Sequence, residues 1–142
     1  MLLNGRVSLV RDIEADGVHL PANASVRRVR ETLGDDALLG ASAHDFDELC
    51  RAEDEGADFA TLSPIFETTS KPGVPPLDIE QFASLVSGSR LSVYALGGVT
   101  PERVTSCLDA GACGVAVVNG ILNAPDVGDA VRRYFHALRH AL

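Results

Sequence analysis

The sequence predicts an α/β fold made of six β-α units. Short apolar runs rich in β-branched residues alternate along the chain with amphipathic stretches, which is typical of strands that take turns with helices. Several of these runs are apolar on both faces. Such strands are expected in a parallel sheet covered by helices, with right-handed crossovers between neighbouring strands.

Six runs are predicted to be strands, and in chain order they read LLNG, GVHL, LLGASA, FATLSPIF, SVYALGG and GVAVVNGI. A closed barrel of parallel strands needs eight strands and typically about 200 or more residues, whereas this chain has 142. The alternation by itself therefore leaves two alternatives, a barrel that lacks two units or an open sheet.

The helices between these runs are predicted by apolar stripes at helical spacing. Two stripes consist of Ile79, Phe82, Ala83 and Val86, and of Val127, Val131, Tyr134, Phe135 and Leu138. An earlier helix is predicted to bury Val26, Val29 and Leu33 and to expose the basic residues Arg27, Arg28 and Arg30. Each stripe provides one face for burial against a sheet.

Start signals support these helices. Asp45 and Glu48 have the spacing of the N-cap and N3 residues of a capping box. Asp78 and Gln81 repeat that spacing, and Pro101 suits the first position of a helix. We therefore expect helices to begin at these three places.

Composition excludes several classes of protein. The net charge of -8 disfavours nucleic acid and anionic membranes as partners, so we expect neither. The apolar runs are too short to span a membrane and no signal-like segment opens the chain, which predicts a cytoplasmic protein. Three cysteines without a C-x-x-C pair predict no disulfide framework and no thiolate zinc site, and they are expected to be small buried residues. We expect one domain over residues 1–142.

Two glycine-containing loops predict a phosphate site. Ligands of parallel β-α folds meet the loops that leave the carboxyl ends of the strands, and GGVTPE and NGILNAP are such loops. Gly97 and Gly98 would let backbone N–H groups approach an anion, and Asn119 and Gly120 could do the same from the next strand. The alternative is that these glycines only make tight turns.

The loop ETTSKPG follows the fourth predicted strand and opens toward the same edge. Thr68, Thr69 and Ser70 offer hydroxyl donors. Lys71, the only lysine of the chain, offers a mobile cation that could reach a phosphate or a developing negative charge. The alternative is a solvated loop lysine, but its position among hydroxyls favours a functional role.

The histidines differ in what their surroundings predict. Ser42 and His44 lie at the end of the third strand, where His44 could transfer protons or cap the next helix, and both alternatives are open. His19 is flanked by apolar residues, which favours a hydrogen-bonded core histidine. His136 and His140 have the spacing of a metal pair, but no third ligand is evident, so a solvated helix face is expected.

The motifs DGVHL, GASAH, AEDEGADFATLSPIFETTSKPG, ALGGVTPERV and AGACGVAVVNGI occur here in an order and spacing similar to those of the thiamine phosphate synthase and thiazole tautomerase (TenI-type) family. The resemblance covers nearly the whole chain. It implies a TIM barrel that is incomplete at the amino end, with the family's first two β-α units lacking. In this family, synthase members use magnesium to join a pyrimidine diphosphate to a thiazole phosphate and release pyrophosphate.

The resemblance also implies roles for individual residues. Those implied at the thiazole phosphate are the hydroxyls of Thr68 and Ser70 and the backbone positions of Gly98, Val118 and Asn119. Those implied to face the pyrimidine diphosphate are Asn4, Ser42 and Lys71. Lys71 and His44 are the candidate catalytic residues.

Three departures from the family pattern alter the expected chemistry. Gly5 stands where synthases have an aspartate, and PANA, which follows GVHL, lacks a second aspartate. These two carboxylates hold magnesium in the family, so magnesium is possible by resemblance while its usual ligands are absent. Pro64 stands at the histidine of the tautomerase branch, which leaves His44 or Glu67 as candidate bases.

These observations lead us to expect a chain that binds a thiazole phosphate, with TenI-like isomerisation or a degenerate activity favoured over the full synthase reaction. One alternative is a thiamine-phosphate synthase completed by a missing segment or a second chain. The other is a non-catalytic relative that binds phosphate or regulates. Since an incomplete barrel exposes sheet edges, we also expect a homo-oligomer.

Overall fold

The computed structural model of the protein describes residues 1–70 and 72–141. The fold consists of two compact units. Unit 1 contains Met1–Thr61 and Ser89–Ser92, and unit 2 contains Leu62–Gly88 and Val93–Leu142.

Strands and helices alternate along the chain as predicted. The strands are β1 Leu2–Asn4, β2 Gly17–Leu20, β3 Leu38–Ala43, β4 Phe59–Leu62, β5 Ser92–Leu96 and β6 Gly114–Ala116. The α-helices are α1 Val26–Leu33, α2 Phe46–Asp54, α3 Asp78–Ser87, α4 Val104–Asp109, α5 Asn119–Leu122 and α6 Val127–Ala141. Single 3₁₀ turns lie at Val7–Leu9 and Pro101–Arg103. Among the described residues, no helix is long and apolar enough to cross a membrane.

Two strands are shorter than the apolar runs that predicted them. β4 ends at Leu62, and the rest of FATLSPIF is not strand. Pro64 has no backbone N–H to donate to a neighbouring strand, so it cannot continue a regular ladder. β6 ends at Ala116, and the last part of GVAVVNGI forms the short helix α5 instead.

The strands of unit 1 lie in the order β1-β2-β3-β4. β1 and β3 both pair with β2 in parallel, with Leu3 opposite Val18 and Val18 opposite Leu39. This unit contains an apolar cluster of buried residues that includes Val18, Leu20, Leu39 and Val26. The parallel arrangement that the two-sided apolar runs predict is therefore present in unit 1.

Arg30 of α1 corrects the prediction of an exposed basic run. Arg27 and Arg28 are exposed as predicted, but Arg30 is half-buried. Its guanidinium donates to the carbonyl oxygen of Ala37 at 2.6 Å and to a carboxylate oxygen of Asp58 at 2.9 Å. The same carboxylate oxygen accepts the backbone N–H of Leu39 in β3 at 2.6 Å. Arg30 thus joins α1 to the segments before β3 and β4.

His19 of β2 is half-buried, and its role as a hydrogen-bonded residue of the core is supported by its contacts. Its Nε2 lies 3.1 Å from the hydroxyl of Thr61, and its ring lies 5.9 Å from the Phe59 ring between centroids. Burial lowers the pKa of His19 below its usual value because the charged form loses solvation. The neutral imidazole is therefore favoured in the folded protein.

Unit 2 contains the parallel pair β5 and β6, in which Ala95 lies opposite Val115. Phe82 of α3 is fully buried, as its stripe predicts. In α6 the buried residues are Ala130 and Tyr134.

The apolar stripe predicted for α6 is wrong in part, because Val127 and Phe135 are exposed. Successive residues of an α-helix are rotated by about 100°, so Phe135 points away from the face on which Tyr134 is buried. Val127 lies in the first turn of the helix. The buried face is therefore centred on Ala130 and Tyr134, with Val131 and Leu138 half-buried beside it.

The predicted helix starts are confirmed. The backbone N–H of Glu48 donates to the Asp45 carboxylate at 2.8 Å, and that of Gln81 donates to the Asp78 carboxylate at 2.9 Å. Pro101 occupies the first position of its 3₁₀ turn. The carboxylates of Asp45 and Asp78 accept from N–H groups that have no acceptor within the helix.

The cysteines are free. Cys107 is buried, and burial raises the pKa of its thiol to about 11. Cys50 is half-buried, while Cys113 is exposed, which contradicts the expectation that all three are buried.

The burial of Phe82 predicts a large effect on stability. The variant Phe82→Ala should lower the free energy of unfolding by about 3–5 kcal/mol, because it removes a buried ring and leaves a cavity. Phe135→Ala is the matched control, since Phe135 is 60% exposed and Phe82 is 0% exposed. Urea denaturation followed by circular dichroism measures both, and similar losses in the two variants would contradict this assignment of the core.

The lowered pKa of His19 predicts a pH-dependent contribution to stability. Below about pH 6.5 the unfolded chain binds a proton at His19 more readily than the folded chain, so stability falls as the pH drops toward the folded-state pKa. The contribution is fully present above about pH 6.5. Denaturant unfolding of wild type and His19→Gln between pH 7.5 and pH 5 should show a steeper loss for wild type, and parallel curves would contradict the prediction.

Candidate functional site

Unit 2 contains a cavity of about 510 Å³. The residues around it come from the segments that follow β4, β5 and β6, and from α6. They are residues 63–64, 67–70, 96–100, 103, 116–120 and 134. The carboxyl-terminal ends of parallel strands are where ligands bind in folds of this class, so this cavity is the candidate site.

The turn after β5 depends on two glycines. Gly97 and Gly98 have φ angles of 96° and 64°, in the left-handed region that favours glycine. A Cβ atom on Gly98 would lie 2.4 Å from the carbonyl oxygen of Glu67, and one on Gly97 would lie 2.8 Å from the Cα of Pro64. The turn therefore approaches the segment after β4 more closely than any side chain would allow.

Backbone hydrogen bonds hold the same two segments together. The N–H of Ile65 donates to the carbonyl of Leu96 at 3.0 Å, and the N–H of Phe66 donates to the carbonyl of Gly97 at 3.0 Å. The N–H of Leu77 donates to the carbonyl of Pro64 at 2.9 Å and closes the long loop that precedes α3. The cavity wall is thus set by main-chain contacts as well as by side chains.

Residues 68–70, which we call the hydroxyl loop, form hydrogen bonds with the start of α5. Nδ2 of Asn119 donates to the hydroxyl of Ser70 at 2.8 Å and lies 3.5 Å from the hydroxyl of Thr69. The backbone N–H of Ser70 donates to the hydroxyl of Thr68 at 3.3 Å. Asn119 and Gly120 begin α5, and the first N–H groups of a helix have no acceptor within it. The hydroxyls of Thr69 and Ser70 therefore meet the side chain of Asn119 at the cavity.

Tyr134 of α6 lines the cavity. Its buried hydroxyl donates to the carbonyl of Val99 at 2.9 Å. Burial raises the pKa of Tyr134, so the hydroxyl keeps its proton and acts as a donor. A Cβ atom on Gly120 would overlap this hydroxyl, which explains the glycine at that position.

Two charged residues line the cavity in the part of the chain that the structure describes, Glu67 and Arg103. Both are exposed. Neither Arg103 nor Tyr134 was identified as a site residue from the sequence. Arg103 lies in the motif ALGGVTPERV, and its position shortly after the glycine pair is a signal from which it could have been predicted. Tyr134 has no such signal, because in the sequence it is only one residue of an apolar stripe.

Five predicted binding residues line this cavity: Thr68, Ser70, Gly98, Val118 and Asn119. They come from three separate segments of the chain, so the fold of unit 2 brings them together. Their binding roles remain predictions. Lys71, the predicted catalytic lysine, lies outside the described residues.

The other predicted residues belong to unit 1. Asn4 is exposed at the end of β1, and Ser42 is half-buried in β3. Nδ1 of His44 lies 2.8 Å from Oε2 of Glu48, and the same oxygen accepts the backbone N–H of His44 at 2.9 Å. This geometry favours the alternative in which His44 helps to begin α2.

The residues present do not fit the magnesium site that the family resemblance implies. Gly5 follows β1, and the segment PANA follows β2 without a carboxylate. Nowhere in residues 1–70 and 72–141 do three or more His, Cys, Asp or Glu side chains come together in a way that could hold a metal ion. Magnesium prefers oxygen ligands that include carboxylates.

Comparison with known proteins agrees with the resemblance seen in the sequence. A family model described as "Thiamine monophosphate synthase" (TMP-TENI) matches residues 1–121. The chain is 37% identical to thiamine-phosphate synthase of Synechococcus sp. strain CC9605 over 142 residues, which are 99% of this chain and 40% of that protein. It is 34% identical to thiamine-phosphate synthase of Roseiflexus sp. strain RS-1, over 97% of this chain and 59% of that protein. The chain thus spans less than two thirds of the length of these relatives.

A solved structure, thiamine phosphate pyrophosphorylase from Pyrococcus furiosus, matches with a TM-score of 0.89 and 25% identity. The match covers 99% of this chain and 68% of that one. It confirms the predicted fold class, α/β of TIM-barrel type. With the family model matching residues 1–121 of 142, these comparisons show that the chain belongs to the thiamine monophosphate synthase family.

Proposed function

We propose that the cavity of unit 2 binds a thiazole phosphate and that the chain serves the thiamine-phosphate synthase reaction. In that reaction a pyrimidine diphosphate is joined to the thiazole phosphate and pyrophosphate is released. The observation that carries the proposal is the convergence of Thr68, Ser70, Gly98 and Asn119 on one cavity. The names of the relatives support synthesis over the isomerisation that the sequence favoured.

The donors of this cavity suit a phosphate group. The hydroxyls of Thr68 and Ser70 can each donate to a phosphate oxygen, and the N–H groups at the start of α5, which have no acceptor within the helix, can do the same. Gly98 lets the main chain come close because it carries no side chain. Hydrogen bonds of this kind hold an anion without a basic surface, which agrees with a net charge of -8.

The rest of the cavity suits the ring of the ligand. Val99, Val117 and Val118 provide apolar surface beside the hydroxyls. An apolar wall with a few convergent donors orients a small ring while the donors hold its phosphate. In this proposal the chain binds and orients the thiazole phosphate for reaction with the diphosphate.

Self-association belongs to the same proposal. Asn4 and Ser42 are the residues that the family resemblance assigns to the pyrimidine diphosphate among those described, and no magnesium ligands accompany them. We propose that a second copy of the chain supplies groups for the diphosphate. A stable monomer in sedimentation velocity at the concentrations used for assays would argue against this arrangement.

Isomerisation of a thiazole carboxylate phosphate is the second candidate function. Glu67 supports it, because its carboxylate lines the same cavity and could accept a proton. Pro64 stands where the tautomerase branch has its histidine, and a proline side chain transfers no proton. Glu67 is therefore the base that this function would need.

Product analysis separates the two functions. Purified protein with magnesium, the pyrimidine diphosphate and the thiazole phosphate should form thiamine phosphate, which chromatography detects. With the thiazole carboxylate phosphate alone, NMR should show no isomer above the rate in buffer. Isomer formation that Glu67→Gln abolishes, without any thiamine phosphate in the first assay, would overturn the synthase proposal in favour of the second candidate.

Two variants test the part of the cavity that we propose binds the phosphate. Gly98→Ala should reduce affinity for the thiazole phosphate strongly, because its Cβ would overlap the Glu67 carbonyl and strain a residue at positive φ. Asn119→Ala should weaken binding by about fivefold, since it removes a hydrogen bond worth about 1 kcal/mol that orders Ser70. Isothermal titration calorimetry measures both.

The controls come from the same unit. Gly128→Ala changes a glycine near the start of α6 that has no positive φ, and Ser87→Ala removes a hydroxyl of α3 outside the cavity. Both controls should bind the thiazole phosphate as wild type does. If Asn119→Ala also binds as wild type does while remaining folded by circular dichroism, the hydroxyl loop is not part of the binding site.

A further inference from the structure

We propose that Arg103 binds the phosphate of the ligand in the unit 2 cavity. This inference rests on the proposed function and adds a cationic residue that the family resemblance does not assign. Arg103 lies in the 3₁₀ turn after β5 and lines the cavity. Among the lining residues that the structure describes, it is the one with a positive charge.

Two contacts hold the guanidinium group of Arg103 at the glycine turn. Its Nη1 donates to the carbonyl oxygen of Gly98 at 2.8 Å. Its Cζ lies 4.4 Å from the centroid of the Phe66 ring, which is the arrangement of a cation–π interaction. The backbone N–H of Arg103 donates to the carbonyl of Thr100 at 3.0 Å, so its main chain is also anchored. The group is therefore placed before a ligand arrives.

Few donors of the Arg103 guanidinium have a partner among the described residues. A guanidinium has five N–H donors, and within the described chain only the Gly98 carbonyl accepts one of them. No carboxylate of a described residue forms an ion pair with it. The adjacent Glu102 is engaged elsewhere, with its carboxylate 2.8 Å from the guanidinium of Arg133.

Two other arginines of unit 2 form ion pairs with carboxylates. Arg133 pairs with Glu102, and Arg132 pairs with Asp129 at 3.4 Å on the exposed face of α6. Arg103 instead contacts a carbonyl and a ring, both of which leave its charge available. An arginine that is positioned beside a cavity without a carboxylate partner is suited to an anionic ligand.

The chemistry of the ligand gives this arginine a defined task. The hydroxyl and amide donors of the cavity are neutral, so they bind phosphate oxygens without compensating their charge. A guanidinium supplies that charge and can donate two parallel N–H groups to two oxygens of the same phosphate. Arg103 therefore discriminates the phosphorylated thiazole from the same ring that ends in a free hydroxyl.

The alternative role for Arg103 is to brace the Gly97–Gly98 turn through Gly98 and Phe66. A residue that only braces the turn would affect the phosphorylated and the unphosphorylated ligand alike. A residue that contacts the phosphate would affect the phosphorylated ligand alone. The thiazole alcohol, which lacks the phosphate, is therefore the probe that separates the two roles.

Calorimetric titration of the whole protein provides the test. Arg103→Gln should weaken binding of the thiazole phosphate by about tenfold and leave binding of the thiazole alcohol unchanged. Its affinity for the phosphate should also depend less on salt concentration than that of wild type, because one ionic contact is lost. Arg132→Gln is the matched control, since it removes the same charge outside the cavity and should alter neither ligand.

The possible failures are distinguishable. A wild-type protein that does not bind the thiazole phosphate overturns the proposed function and this inference with it. Wild-type binding with unchanged affinity and salt dependence in Arg103→Gln, or with equal losses for both ligands, overturns the inference alone. If Arg103→Gln does not fold, Arg103→Lys replaces it, and it must show a smaller loss confined to the phosphate; any other result also overturns the inference.

Discussion

The structure of unit 2 depends on the close approach of the Gly97–Gly98 turn to the segment from Pro64 to Glu67. Two main-chain hydrogen bonds and two positive φ angles hold these segments at a distance that excludes a Cβ atom. Along the chain, the hydroxyls of Thr68 to Ser70 follow the first of these segments and the 3₁₀ turn with Arg103 follows the second. The hydroxyls of Thr68 to Ser70 and the side chain of Arg103 therefore derive their positions from a contact between backbones.

Much of this could be predicted from the sequence, because the signals were local. The apolar runs located all six strands, and Asp45, Asp78 and Pro101 located helix starts. The failures concern tertiary contacts. Whether α6 buries Tyr134 or Phe135, which are adjacent in sequence, depends on the direction from which the helix meets the strands. Whether Arg30 is solvated depends on carbonyl groups supplied by distant loops.

The candidate site was likewise predicted only in part from the sequence. The glycines, the hydroxyls and Asn119 predicted a shared site because their types and spacing are typical of phosphate binding, and the structure brings them to one cavity. Arg103 and Tyr134 were missed, since an exposed arginine on a turn and a tyrosine within an apolar stripe are common in any α/β chain. Family membership and reaction chemistry are separate here. The residues predicted to bind a phosphate line one cavity, whereas no cluster of His, Cys, Asp or Glu side chains among the described residues could hold a metal ion. A fold can keep one binding surface of a reaction while another diverges.

The hydrogen bond from Tyr134 to Val99 has a consequence for the motions of unit 2. Helix α6 lies beyond the residues matched by the family model, yet this bond joins it to the turn that carries Gly98. A ligand that binds only when the turn is in place adds its binding free energy to the docking of α6. Opening of α6 and occupancy of the cavity are thus linked equilibria, so a bound ligand would slow amide hydrogen exchange in a helix that contributes only one tyrosine to the cavity lining.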